Sequence, residues 1–287
     1  MPGRDQALPH CLAALAMLLA APVAAQDRQP ERVVSLNLCT DQLLLDLAPR
    51  ERIAGLSPFA ADAAQSFLAG QVQGLPILSG TAEEVMVIRP DLVVSGTFTK
   101  RATREFIRRQ GIPIEEFPPA RTLAETRAQI ARFGEIAGAR EKAAIRIGEI
   151  DLAIRELRAA ASPGKLRILP LARRGWVSGA DSLISELLAE AGLVNAAGEL
   201  GLAAGGIVRL EQVIALRPDA ILLSREDDHP EDQGRAMLLH PALQAMFPAE
   251  RRLVVPERLT VCGGPMLGEA MRSLARQVSR LKPRDPD

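Results

Sequence analysis

Two cysteines stand where they could do chemistry: Cys39 follows the earliest apolar strand pattern of the chain, and Cys262 precedes its last helical pattern. A disulfide between them would staple distant parts of the chain. Alternatively, one or both thiolates could ligate a soft or borderline metal centre, or two unpaired thiols could pack as small apolar groups. A cysteine nucleophile would need a base, and only His229 and His240 follow the opening segment. Neither lies in a loop of the kind that carries the cysteines. The chain also lacks a Gly-x-Ser-x-Gly elbow and a Gly-x4-Gly-Lys phosphate loop.

The loops around these cysteines are better furnished for holding a ligand than for transforming one. They are Asn37-Leu38-Cys39-Thr40 and Gly96-Thr97-Phe98-Thr99-Lys100-Arg101 in the first half, and Arg173-Arg174-Gly175-Trp176 and Arg258-Leu259-Thr260-Val261-Cys262-Gly263-Gly264 in the second. Guanidinium groups grip carboxylates in a fork, and Phe98 and Trp176 offer flat apolar faces. The predicted contacts of an anionic, partly planar ligand are Asn37, Cys39, Thr97, Phe98, Arg101, Arg173, Trp176, Arg258 and Cys262. The run Asp227-Asp228-His229-Pro230-Glu231-Asp232 reads as a solvated acidic loop, not a metal site. Two histidines in the same half are too few for a carrier of bare metal ions.

The elements that must position these loops are announced by a repeat. Glu83-Glu84-Val85-Met86-Val87-Ile88-Arg89-Pro90-Asp91-Leu92-Val93-Val94 returns as Glu211-Gln212-Val213-Ile214-Ala215-Leu216-Arg217-Pro218-Asp219-Ala220-Ile221-Leu222. Each copy predicts a short helix opened by its glutamate, a stop before proline, and a buried parallel strand. Further strands are expected at 32–36, 76–78, 112–117, 166–171 and 253–255, and helices after Thr40 or Asp41, at 101–110, at 182–191 and from 265 to 281. Thr81 and Glu84 form a capping box before the first repeat helix. From Thr122 the pattern is helical alone, with interruptions near Gly134 and Gly138, and then a sustained helix with Asp151 and Arg155 paired on its exposed side. The expected fold class is α/β: two Rossmann-like lobes, each a parallel sheet flanked by helices, joined by one long backbone helix. The predicted divisions are 1–25 as a signal peptide, 26–139 as the first lobe, 140–161 as the connecting helix and 162–287 as the second lobe.

Residues 1–25 place Arg4 ahead of an apolar run at 12–19 and small residues at Val23 and Ala25, as a cleaved secretory signal does. Cys11 lies before that run and is not placed for lipid attachment. A periplasmic, soluble mature protein is expected. The balance of 35 basic and 35 acidic residues provides no basic face, so nucleic acid is not expected as a partner.

Val34-Ser35-Leu36-Asn37, the doubled Glu-x-Val-x-x-[Ile/Leu]-Arg-Pro-Asp and the long central helix resemble the class III periplasmic binding proteins of iron-siderophore, haem and cobalamin importers. That resemblance implies a ligand held between the lobes, no catalytic residues and no resident cofactor. It implies a partner as well, the permease dimer of an ABC importer, docked through one glutamate per lobe at the matching positions Glu83 and Glu211. The competing reading of each glutamate is a carboxylate complementing its helix dipole. Tyrosine is absent from the chain, which excludes a haem site with a tyrosine axial ligand. A corrinoid or an iron complex bound by a monomer is the expectation. The alternatives are an exported cysteine-dependent enzyme and a bilobal sensor without a transport role.

Overall fold

The computed structural model describes residues 29–161, 164–224 and 236–281, so the expected signal segment and the acidic run around His229 lie outside the described residues. In the first half the elements are β1 (Val33–Ser35), α1 (Leu38–Leu47), β2 (Ile53–Gly55), α2 (Ala82–Ile88), β3 (Leu92–Gly96), α3 (Arg101–Arg109), β4 (Ile114–Phe117) and α4 (Leu123–Ile136). A long helix, α5 (Arg140–Ala159), leads to the second half: β5 (Arg167–Pro170), β6 (Trp176–Val177), α6 (Leu183–Glu190), β7 (Val194–Asn195), β8 (Gly206–Ile207), α7 (Leu210–Leu216), β9 (Ala220–Leu223), α8 (Pro241–Met246), β10 (Arg252–Val254) and α9 (Leu267–Val278).

The doubled motif folds twice into the same unit. Helix α2 ends at Arg89, in the left-handed conformation with φ 51°, and α7 ends at Arg217 with φ 47°. The following proline cannot continue either helix. Asp91 then accepts hydrogen bonds from the backbone N–H groups of Glu31 and Arg32, at 2.7 and 3.0 Å, while the Arg32 guanidinium donates to the Ile88 carbonyl at the open helix end. In the second copy Asp219 accepts from the Arg167 N–H at 2.7 Å, and the Arg167 guanidinium donates to the carbonyls of Leu216 and Arg217. These bonds satisfy carbonyls that the helix leaves without partners, and they lock β1 beside β3 and β5 beside β9.

Both sheets are parallel and wound alike. The first has the order β2-β1-β3-β4; the second, read from its other edge, is β7-β5-β9-β10. A short antiparallel pair, β6 with β8, is added to the second half alone. In both sheets the winding reverses between the first and third strands, the position where layered α/β sheets open a crevice at their carboxyl ends.

Period-2 alternation explains the core. Val33, Val94, Ile168, Ala220 and Leu222 point into one continuous apolar cluster that runs through both sheets and the inner face of α5. Their neighbours Val34 and Val93 point into a satellite core of the first sheet, and Leu169, Ile221 and Leu223 into one of the second. Helix α5, about 30 Å long at 1.5 Å per residue, packs against α4 on one side and α9 on the other, burying Ala143, Ile150, Ala153, Ile154 and Leu157.

Several expectations change. Asn37, not Thr40 or Asp41, caps α1, its side chain accepting from the Cys39 N–H at 2.9 Å; the Thr40 hydroxyl turns back to Ser35 and the Asn37 carbonyl. The strand expected at 76–78 makes a single bridge, Ile77 to Leu56, because the chain after α1 turns at once through Arg50–Arg52 and lays β2 beside β1. Thr81 caps α2 as expected, its hydroxyl accepting from the Glu84 N–H at 3.4 Å, but the Glu84 carboxylate completes the box on Ser79 instead, accepting from its hydroxyl and N–H, and these bonds hold the carboxyl below the ordinary range. Gly134 does not break α4: it is buried, and a β-carbon there would stand 2.5 Å from that of Ala143, so its role is close approach of α4 to α5. Asp151 pairs with Arg127 of α4 at 2.6 Å, not with Arg155, because the acid faces the neighbouring helix.

Candidate functional site

At the carboxyl end of the second sheet, around its winding reversal, lies a cleft of about 570 Å³. Pro170 at the end of β5 and Leu171 after it, Leu222, Leu223 and Ser224 at β9, and Val255 after β10 form its floor. Helix α6 contributes its N-terminal turn, Ser182, Leu183 and Ile184. The first half supplies Phe98 and the Pro119-Ala120-Arg121 turn. At the winding reversal of the first sheet lies a recess of about 120 Å³, bounded by Asn37 after β1, Gly96 and Thr97 at the end of β3, and Cys39 and Cys262. The two hollows share Phe98, Pro119, Ala120 and Val261, so the crevices of the two sheets meet.

A larger hollow, about 1080 Å³, lies at the opposite, amino end of the first sheet beside Asp91 and Leu92. Its described arginines are paired with acids of its own lining: Arg132 with Glu115 and Glu135, and Arg140 with Glu135. The crevice at the carboxyl ends is therefore the candidate site, on physical grounds that size does not override.

Six of the nine predicted contacts border the crevice: Asn37, Cys39, Thr97, Phe98, Trp176 and Cys262. Phe98 is 83% exposed and Trp176 46%, so both present faces a ligand could cover. The arginines fall elsewhere. Arg101 turns along α3 to pair with Glu105, while Arg173 and Arg258 are exposed and outside the lining. Among the described residues the guanidinium on the cleft is Arg121, accompanied by two carboxylates, Asp181 and Glu257. The described part of the lining is thus mixed in charge. Arg121 follows β4, and the rule that selects loops after strands applies to that loop as well.

The cysteines are joined: Cys39 and Cys262 form a disulfide with their α-carbons 5.3 Å apart. This removes the readings of metal-ligating thiolates, free buried thiols and a cysteine nucleophile at these positions. His240 is occupied as a cap, its Nδ1 accepting from the Ala242 N–H at 3.2 Å. Among the described residues no three of His, Cys, Asp and Glu gather as a metal site would require.

Supporting residues set the geometry. Asn195 of β7 donates to the carbonyls of Ser178 and Gly179 at 3.1 and 3.0 Å, fixing the loop that leads from Trp176 to α6. Trp176 is anchored by its pairing with Ile207 and by the Val208 N–H bonded to the Gly175 carbonyl. On the buried side of α1, Asp41 accepts from the Ser57 N–H and hydroxyl; its removal from water pushes its pKa up to about 7, against the opposing effect of bonds from Ser35 and Ser57. Glu83 and Glu211 are exposed at the heads of α2 and α7.

The sequence profile described as "Periplasmic binding protein" matches residues 33–252, most of the chain. The chain belongs to the periplasmic binding protein family. This is a family of binding proteins, so the enzyme alternative is set aside, and membership implies a periplasmic or extracellular location. The chain is 24% identical over 216 residues to the cobalamin-binding protein of Halobacterium salinarum, a match covering 74% of this chain and 58% of that relative. In fold it resembles the periplasmic heme-binding protein RhuT from Roseiflexus sp. RS-1 in apo form (TM-score 0.71, 23% identity, 87% of this chain and 98% of the other). It also resembles a periplasmic heme binding protein from Pseudomonas aeruginosa (TM-score 0.72, 21% identity, 89% and 95%).

Proposed function

We propose that this protein captures a metal chelate, a cobalamin-like corrinoid or an iron complex, between its two lobes and delivers it to the permease of an ABC importer. The observation that carries this reading is the meeting of the two crevices at the winding reversals, with Phe98 and Trp176 exposed beside them. The flat aromatic faces suit a large, partly apolar ligand, and Arg121, Asp181 and Glu257 suit its polar periphery. In this reading Asn37, Thr97, Phe98 and Trp176 contact the ligand, residues 1–25 direct export and are removed, residues 26–139 and 162–287 are the lobes, and the mature protein acts as a monomer. Similarity to a cobalamin-binding protein supports the corrinoid.

The mature protein, mixed in turn with cobalamin, cobinamide, haem and ferric siderophores, should gain visible absorption and melting temperature with one class of these. No colour and no shift with any of them overturns the chelate reading. Glu83 and Glu211 would dock the permease. Replacing both by alanine should abolish uptake in cells while leaving chelate affinity unchanged, and lost affinity would place them in binding instead.

A further inference from the structure

All four strands of the first sheet precede α5 and the four of the second follow it, so α5 joins the sheets along the back. That helix and the core it shares with both sheets leave the front edge to be closed by other contacts. Three contacts between the halves lie at that edge. The Cys39–Cys262 disulfide ties the first turn of α1, in the first half, to the turn before α9, in the second, across a sequence separation of 223 residues. Next to it Gly263 is pressed on the start of α4: a β-carbon there would lie 2.5 Å from the Thr126 hydroxyl and 2.8 Å from the Ala120 methyl. Finally, Glu186 of α6 accepts from the Leu123 N–H, a donor that the first turn of α4 leaves unsatisfied. All three lie at or beside the recess and cleft.

We propose that the Cys39–Cys262 bond, reinforced by these two contacts, fixes the width of the cleft. The sheets are held at two separated places, by α5 at the back and by the disulfide at the floor. This inference is independent of which ligand is bound.

The test needs no ligand. Trp176 is the chain's one tryptophan and tyrosine is absent, so Phe98→p-cyanophenylalanine places a single fluorescence donor on the first lobe opposite a single acceptor on the second. Dithiothreitol reduces the bond, supplying two electrons and two protons to make two thiols as the reagent closes to its own cyclic disulfide. Energy transfer should be high in the oxidised mature protein and fall on reduction, in step with the appearance of two titratable thiols. Cys39→Ala/Cys262→Ala should show the lowered transfer without reductant. Unchanged transfer in both overturns the proposal, as does finding both thiols free in the exported protein. Should the double variant not fold, the wild-type bond reduced in place below the melting point decides: lost transfer with retained far-UV helix signal supports the clamp, and loss of both together overturns it.

Discussion

The two lobes share a frame and differ at their mouths. Each has the same four-strand order, the same left-handed arginine closing a repeat helix, and the same aspartate holding the start of the neighbouring strand. Yet the first lobe opens only a shallow recess, whereas the second, which adds the β6–β8 pair, carries most of the cleft and its tryptophan. The comparison separates what a parallel sheet requires from what a ligand requires. Strand order and helix ends are dictated by hydrogen bonding and burial. The loops beyond the carboxyl ends are released from both demands and can diverge.

Breaking the tie between lobes should have the largest effect. The Cys39→Ala/Cys262→Ala variant frees a loop of 223 residues in the unfolded chain, an entropic loss of at most about 5 kcal/mol of stability, readable by denaturant unfolding. Asp41 sharpens the contrast, since helix α6 of the second lobe has no buried carboxylate to match it. Its folded pKa is about 7 and its unfolded value 3.8, so between these pH values the folded state keeps a proton that the unfolded state has released. Stability should therefore fall as pH rises from about 4 to about 7 and level off above, and Asp41→Asn should flatten that slope in thermal melts.

Ile150→Ala, in α5 and the shared core, should cost about 3 kcal/mol and lower the unfolding of both lobes in one transition. Two separate transitions would show that the lobes do not share a core. The smallest effects test the equivalence of the repeats: Arg89→Gly and Arg217→Gly each relieve a positive φ and should stabilise by similar amounts, roughly 0.5 kcal/mol, in calorimetry. A clear difference between them would show that the two helix ends are not equivalent in energy.

Long, strongly patterned elements were legible from residue order. The repeat, the alternation of strands and helices, and α5 all stand in the structure within a few residues of expectation. Short pieces were not. Strand β2 is three residues ending in Gly55, and β6, β7 and β8 are two residues each, too brief for any apolar period to register. Phe98 and Trp176 border the crevice because their loops follow strands. Arg121 also borders it, in a loop after β4 that the same rule covers but that was not singled out, whereas Arg101 lies off it because a flexible exposed guanidinium takes the nearest acid, Glu105.

Residue order alone determined that the chain is doubled, layered and parallel, because apolar periodicity, prolines and capping groups act over a few neighbouring residues. The tertiary structure alone decided that Cys39 and Cys262 meet, that the two winding reversals adjoin, and which charges border the space between. Those are separations between residues far apart in sequence, fixed by how α5 packs on α4 and α9, and local pattern contains no measure of them.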